Sequence, residues 1–360
     1  FARVRELFDA ALDIAPEELP AWCARVCAGD SALHRQLARL LELDAVNGSQ
    51  APNPMANVIG AALEADARRR LIGTHIGRYQ LIEEIGQGGM GRVFRALREE
   101  DGVRQEVALK LLRREMIDTT MLLRFQAERR ILAGLSHPGI ARLLDLGESA
   151  DGIPFIAMEL VQGEPITRYC ASRGLGIRER LRLFRQVLAA VSHAHRNLVV
   201  HRDIKPANVL VDHSGQVKLL DFGIAKPLQA GGDVTATAAR CLTPNYAAPE
   251  QFLGGEVSVM SDVYALGALL FELLAGRPPL LLDGLRASEV ERQVVHLPPE
   301  ALGQVAQEPH AAERLGRNDL VAWRRALRGD LDSIVHKALR KEPQSRYLGV
   351  DLLDSDIAAY

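Results

Sequence analysis

A change of periodicity near Gly176 constrains the fold of this chain more than any single residue. Between residues 79 and 161 apolar side chains come in short runs bounded by glycine: YQLIEEI, GRVFRAL, VRQEVALKLL, IARLLDLGE and PFIAMELV. Runs of that length and composition read as strands joined by hairpins. One helical pattern, over residues 122–135, interrupts them, and beyond Gly176 helical spacing dominates almost to the end. Strands that precede helices segregate from them, whereas a doubly wound parallel sheet needs the two to alternate. The predicted class is therefore α+β in two lobes, an antiparallel sheet with one helix followed by a mainly helical part. Within the second part, residues 263–275 form a buried helix, SEVE at 288–291 resembles a capping box, and residues 320–327 are helical.

A small helical module precedes the sheet. Apolar residues at 1, 4, 7, 8, 11 and 12 make one amphipathic stripe, Pro16 opens a second run through Leu19, Trp22 and Val26, and Asp30-Ser31 caps a third. NGS and APNP between 47 and 57 read as linker, and residues 61–70 as a short helix leading out of it. The expected division is a helical module over 1–46, a linker over 47–77, and a domain over 78–360 whose lobes meet near 160 and 161. The chain stops inside a helical pattern, DLLDSDIAAY, so the domain reads as truncated at its C-terminus.

Charge and composition narrow the partners. Lys and Arg number 44 against 46 acidic residues, which leaves no overall basic field for nucleic acid. The four cysteines are too sparse for a disulfide framework, so a reducing cytoplasm is the simplest setting. Cys23 and Cys27 share a helix face near His34, but no fourth metal ligand stands nearby and small apolar packing explains them. The longest apolar stretch, 263–275, is broken by Glu272 and is shorter than the ~20 residues that cross a bilayer, so no membrane segment is expected here, with an anchor beyond Tyr360 left open.

The chemistry is concentrated in a few motifs. Residues 201–208 read HRDIKPAN and are followed by Asp221-Phe222-Gly223. Phosphoryl transfer to a hydroxyl needs one carboxylate at the attacking proton and another holding divalent metal against the triphosphate, because crowded phosphate charge repels a nucleophile. Asp203 is the candidate base, Asp221 the candidate metal ligand, and Asn208 a neutral second oxygen for Mg²⁺, with Mn²⁺ as a substitute. Gly86-Gln87-Gly88-Gly89-Met90-Gly91 fits a glycine-rich turn between strands, where backbone N–H groups approach phosphate oxygens unobstructed. A dinucleotide fingerprint would open a helix instead. Lys110 ends a following strand and Glu128 lies in the next helical pattern, a pair placed to aim an ammonium at phosphates. The absence of GxxxxGK[ST] disfavours a P-loop NTPase.

From about Tyr79 to its end the chain resembles the eukaryotic-type protein kinases of the bacterial Ser/Thr family. The resemblance implies ATP and Mg²⁺ as cofactors, Asp203 as catalytic aspartate, Lys110 and Glu128 as the phosphate-aligning pair, and Asn208 and Asp221 as metal ligands. It also implies apolar adenine walls from Ile85, Val93, Ala108, Met158 and Leu210, with backbone groups from Glu159 to Val161 hydrogen-bonding the base. Lys205 and Thr243 correspond to residues that mark Ser/Thr rather than Tyr acceptors, so protein substrates with serine or threonine are expected. Asp262 and the pair Glu250 and Arg346 take structural roles. Arg202 beside Asp203 suggests a switch, in which phosphate on Thr235 or Thr237 orders the activation segment, through self-association for autophosphorylation. A catalytically silent ATP-binding scaffold is the rival reading. Residues 283–328, with Trp323, exceed what a minimal domain of this kind needs; they either recognise substrate or fill surface.

Overall fold

The computed structural model describes Trp22, Val26 and Cys27, then residues 71–88, 91–100, 102–112, 134–149, 152–222, 243–282, 284–306, 308, 310–317 and 319–360. Two compact units divide the chain, residues 1–71 and Ile72–Tyr360. The expected helical module falls almost wholly outside the described residues, although Trp22 and Val26 are helical. The second unit starts inside the stretch read as linker, because His75–Ile76 already forms a strand, β1, paired with Tyr79 and Gln80.

Six strands make the first sheet. After β1 come β2 (Tyr79–Gly88), β3 (Gly91–Glu100), β4 (Val103–Leu112), β5 (Leu143–Glu148) and β6 (Pro154–Glu159), in the order β1-β2-β3-β4-β6-β5 and all antiparallel. The pleat sorts their side chains into two faces. Phe94, Ala96, Val107, Leu109 and Ala157 are completely buried. Alternate positions point the other way, and the register pairs Val93 with Lys110 and Ala108 with Met158, so these four share one face. The strand expected over 140–148 begins only at Leu143, since residues 139–141 are stitched to Leu219 by backbone bonds of 2.8 and 2.9 Å. The helix expected over 122–135 lies outside the described residues except for Gly134 and Leu135, which are not helical.

The remainder is mainly helical, as the periodicity predicts. β7 (Gly163–Pro165) leads into α1 (Ile166–Ser172) and α2 (Ile177–Arg196); then β8 (Val209–Asp212) and β9 (Val217–Leu219) complete a three-stranded sheet, β7-β8-β9. α3 (Pro249–Phe252), α4 (Val259–Ala275), α5 (Ala287–His296), α6 (Leu302–Val305), α7 (Ala311–Leu315), α8 (Val321–Leu327), α9 (Asp330–Ala338) and α10 (Val350–Ala359) follow. α4 is the hub: it is apolar on all sides and buried along nearly its whole length, as a helix inside a core must be. Ser258 caps it by accepting from the Met260 N–H at 3.2 Å, and Gly276, at φ 81°, ends it in the left-handed conformation that a side chain resists.

The stretch over 283–328 does more than fill surface. Leu302, Val305, Leu315, Trp323 and Leu327 belong to the same core as α4. Trp323 donates its indole N–H to Leu274 O at 2.9 Å, with the Arg180 guanidinium 5.1 Å from the ring centroid. Arg180 itself, 1% exposed, is satisfied by main-chain carbonyls, including Leu175 O at 3.0 Å and Leu273 O at 2.7 Å. It joins α2, α4 and the 283–328 stretch at one point, and its burial lowers its pKa. The capping box expected at Ser288 sits elsewhere: α5 starts at Ala287, and Glu289 accepts the Arg286 N–H at 3.0 Å.

Candidate active site

A cleft has the Val93 and Lys110 face of the first sheet as its roof and the second sheet with the loop before it as its floor. The cleft encloses ≈ 830 Å³. Ile85, Gly86, Gln87, Gly88, Gly91, Val93, Ala108, Lys110, Met158, Glu159, Val161 and Leu210 line it, together with Asp203, Lys205, Asn208 and Asp221. The structure thus brings these residues from seven segments to one place. Gly89, Met90, Glu128, Thr235 and Thr237 fall outside the described residues.

Gly91 is demanded by packing. A Cβ there would stand 2.0 Å from Leu111 O on the neighbouring strand, so the turn's last glycine allows β3 to pair tightly with the strand that carries Lys110.

The catalytic-loop geometry starts from a buried carboxylate. Asp262, near the start of α4 and 1% exposed, accepts the His201 N–H at 2.7 Å, the Arg202 N–H at 2.9 Å and His195 Nε2 at 2.8 Å. These bonds hold Arg202 at φ 68°, a left-handed conformation costly for an arginine. That bend directs Asp203 into the cleft. His201 is fully buried, and desolvation pushes its pKa down, so the ring is neutral at neutral pH. Its tautomer follows from its partners: Leu220 O, 2.9 Å from Nε2, can only accept, and the Asp203 N–H, 3.3 Å from Nδ1, can only donate. The proton therefore sits on Nε2. The ring also packs 4.6 Å from Phe222.

Around Asp203 the donors converge. Lys205 Nζ lies 2.9 Å from its Oδ2, Asn208 Nδ2 donates to the same oxygen at 3.0 Å and to the Asp203 carbonyl at 2.8 Å, and the Thr243 hydroxyl stands 3.5 Å from Oδ1. Lys205 donates to Thr243 at 2.9 Å. Across the cleft Lys110 Nζ reaches Asp221 Oδ2 at 2.8 Å, and Asp221 sits at φ 47°. The candidate phosphate-aligning lysine and the candidate metal ligand are thus adjacent, 111 residues apart in sequence.

The set fits a hard divalent ion. Asn208 uses its amide nitrogen toward Asp203, which turns its oxygen away from those bonds, and Asp221 adds carboxylate oxygen. One carboxylate and one amide oxygen leave coordination positions for phosphate and water, the arrangement Mg²⁺ prefers.

Sequence reasoning missed two features of the cleft. Arg95 bridges Glu83 at 2.8 Å and Glu106 at 2.7 Å across β2, β3 and β4 at the rim, and these look like ordinary exposed strand charges. Glu159, expected to serve through its backbone, also turns its carboxylate to Lys218 at 2.7 Å.

A family model described as "Protein kinase domain" matches residues 79–356. The chain is 38% identical over 290 residues to the serine/threonine-protein kinase PrkC of Bacillus subtilis (strain 168), covering 80% of this chain and 41% of that protein. It is 35% identical over 276 residues to the serine/threonine-protein kinase PknB of Mycobacterium tuberculosis (strain ATCC 25177 / H37Ra), covering 75% and 41%. The crystal structure of the Mycobacterium tuberculosis PknI kinase domain superposes with a TM-score of 0.58 at 28% identity, over 80% of this chain and 98% of that one. The chain spans about two fifths of the length of these two sequence relatives.

Proposed function

This chain belongs to the protein kinase family, with the antiparallel-sheet lobe and helical lobe of that fold, and from that premise we propose that it transfers the γ-phosphate of ATP to serine and threonine hydroxyls of proteins. One observation carries the reading: Asp203, gripped by Lys205 and Asn208 at 2.9 and 3.0 Å, faces the Lys110–Asp221 pair across a single cleft. Asp203 accepts or orients the proton of the attacking hydroxyl. Lys205 and Thr243 border the same position and leave room for a short aliphatic hydroxyl. Lys110 offers its ammonium to phosphate oxygens. Ile85, Val93, Ala108, Met158 and Leu210 hold the adenine ring between apolar surfaces, and the backbone from Glu159 to Val161 reads its edge. Asn208 and Asp221 would hold Mg²⁺, which would supply positive charge against the triphosphate, and Mn²⁺ suits the same oxygens.

Arg202 beside the base supports regulation by phosphate on Thr235 or Thr237, delivered by a second copy of the chain. One experiment tests both parts. The full chain and Asp203→Asn are incubated with ATP and Mg²⁺, followed by intact-mass and peptide analysis and by transfer to a generic basic protein. Removal of the base is expected to lower transfer by about 10²–10⁴-fold. Added phosphate is expected at Thr235 or Thr237 in the unaltered chain only, at a rate that rises with the square of its concentration. Equal labelling by the variant removes Asp203 as base. ATP binding without transfer by either protein supports the scaffold reading, and phosphate found only elsewhere removes the switch.

A further inference from the structure

The segment joining the two lobes, residues 159–162, runs between two hollows. Glu159, Leu160, Val161 and Gln162 line the ≈ 830 Å³ cleft on one side and a second cavity of ≈ 230 Å³ on the other. Beyond Glu159 the segment has left the sheet, and Leu160 packs against the apolar cluster that holds Ala108 and Met158. Polar ties at its first residue add to that contact. The Glu159 N–H donates to Arg142 O at 2.8 Å, and one carboxylate oxygen of Glu159 accepts the Arg142 N–H at 3.1 Å. The other carboxylate oxygen takes the Lys218 ammonium at 2.7 Å, across the outer cavity.

Lys218 is a well-anchored partner. It lies in β9, between Val217, which pairs with Val211, and Leu219, which is bonded to Gly139 and Ala141. Leu220 then carries the carbonyl that fixes His201, and Asp221 follows. One ion pair therefore connects the segment that would read adenine to the strand that delivers the metal-binding aspartate.

Resting on the kinase reading above, we infer that the Glu159–Lys218 pair is a clasp that fixes the adenine-reading backbone at its distance from Asp221, with Lys218 a positioning residue for nucleotide binding. The pair is partly exposed, 36% at Glu159 and 18% at Lys218, so its effect is bounded. Loss of a pair of this kind corresponds to about a three- to fivefold change in affinity.

The test uses the full chain and two readouts. In Lys218→Met the Kd and KM for ATP with Mg²⁺ are expected to rise about three- to fivefold while kcat at saturating ATP falls less than twofold, the signature of lost uniform binding. Lys218→Arg is expected to restore both constants, and Lys218→Met is expected to add nothing once Glu159→Gln is present. Without nucleotide, hydrogen exchange at amides 159–162 is expected to quicken in Lys218→Met. Unchanged Kd, an equal loss in Lys218→Arg, or kcat falling as much as KM rises would overturn the positioning role. Unchanged exchange would overturn the clasp whether or not the unaltered chain binds ATP, and failure of the unaltered chain to bind ATP would overturn the kinase reading instead.

Discussion

Leu198, between α2 and the catalytic loop, is held at φ 61° with 91% of its surface exposed. A left-handed backbone strains a leucine by about 1–2 kcal/mol, whereas glycine there would be unstrained but would cost about 0.5–1 kcal/mol of extra chain entropy. Strain relief is the larger of the two, so Leu198→Gly is expected to stabilise the protein by roughly 0.5–1 kcal/mol. A urea midpoint that stays put or falls, at constant m-value, refutes this. The residues of the cleft were legible for a different reason. Asp203, Asn208 and Asp221 belong to a chemistry that prescribes residue types at fixed spacing. Lys218 and Arg180 were not legible, since a lone basic residue in a strand or helix pattern carries no mark of its partner. Burial of Arg180 among carbonyls and the reach of Lys218 to Glu159 exist only after distant segments meet.

Elements are joined in the helical lobe by a buried ion pair whose energetics can be argued by sign. Glu250 of α3 and Arg346, in the turn before α10, meet at 2.8 Å through two parallel bonds, and Ser261 at the start of α4 donates to the same carboxylate at 2.6 Å. Arg346 is 3% exposed and spends its other donors on Met260 O, Arg340 O and Lys341 O. Burial pushes the Glu250 carboxyl up, but the hydrogen bonds and charge of Arg346 outweigh it and hold the carboxyl below its ordinary 4.5. A depressed folded value adds stability that is complete above 4.5 and is lost as the pH falls through the folded value. Arg346→Met leaves the buried carboxylate uncompensated and is expected to destabilise by about 3–5 kcal/mol at pH 7. Its pH dependence is expected to reverse, because burial then outweighs the Ser261 hydrogen bond that remains and favours the protonated acid. Tm measured from pH 4 to 8 is therefore expected to fall with rising pH in the variant; a parallel profile refutes the coupling. Element boundaries show where sequence reading ends. Ser288-Glu291 and Arg286-Glu289 both have glutamate at the third position, and only packing chose between them: α5 sets Val294 and Val290 against Leu280 and Leu282, and that face fixes where the helix begins.

At the scale of the whole molecule, the order of strands and helices sufficed to predict two segregated parts, since a sheet and helices in separate runs of sequence have little choice but to pack as separate layers. The start of the compact unit was less visible: β1 is two residues long, too short for periodicity, and is a strand only because β2 pairs with it. The cleft between the two parts makes the last prediction. Its walls come from β2, β3, β4 and β6 above and from the loop before β8 and Asp221 below, so a ligand that touches both walls is lost when either part unfolds. ATP with Mg²⁺ at about 100 times its Kd is expected to stabilise the folded chain by ~2.7 kcal/mol, raising Tm by about 5 °C. Metal is part of that gain, because the triphosphate otherwise brings its charge to within reach of the Asp221 and Asp203 carboxylates unscreened. Chelation of the metal is expected to remove most of the shift, and Asp221→Asn is expected to abolish the difference between metal-bound and metal-free ATP while leaving the adenine contacts intact. A shift of the same size with and without metal in the unaltered chain would show that nucleotide binds through its base alone, and would take Asp221 out of the metal site.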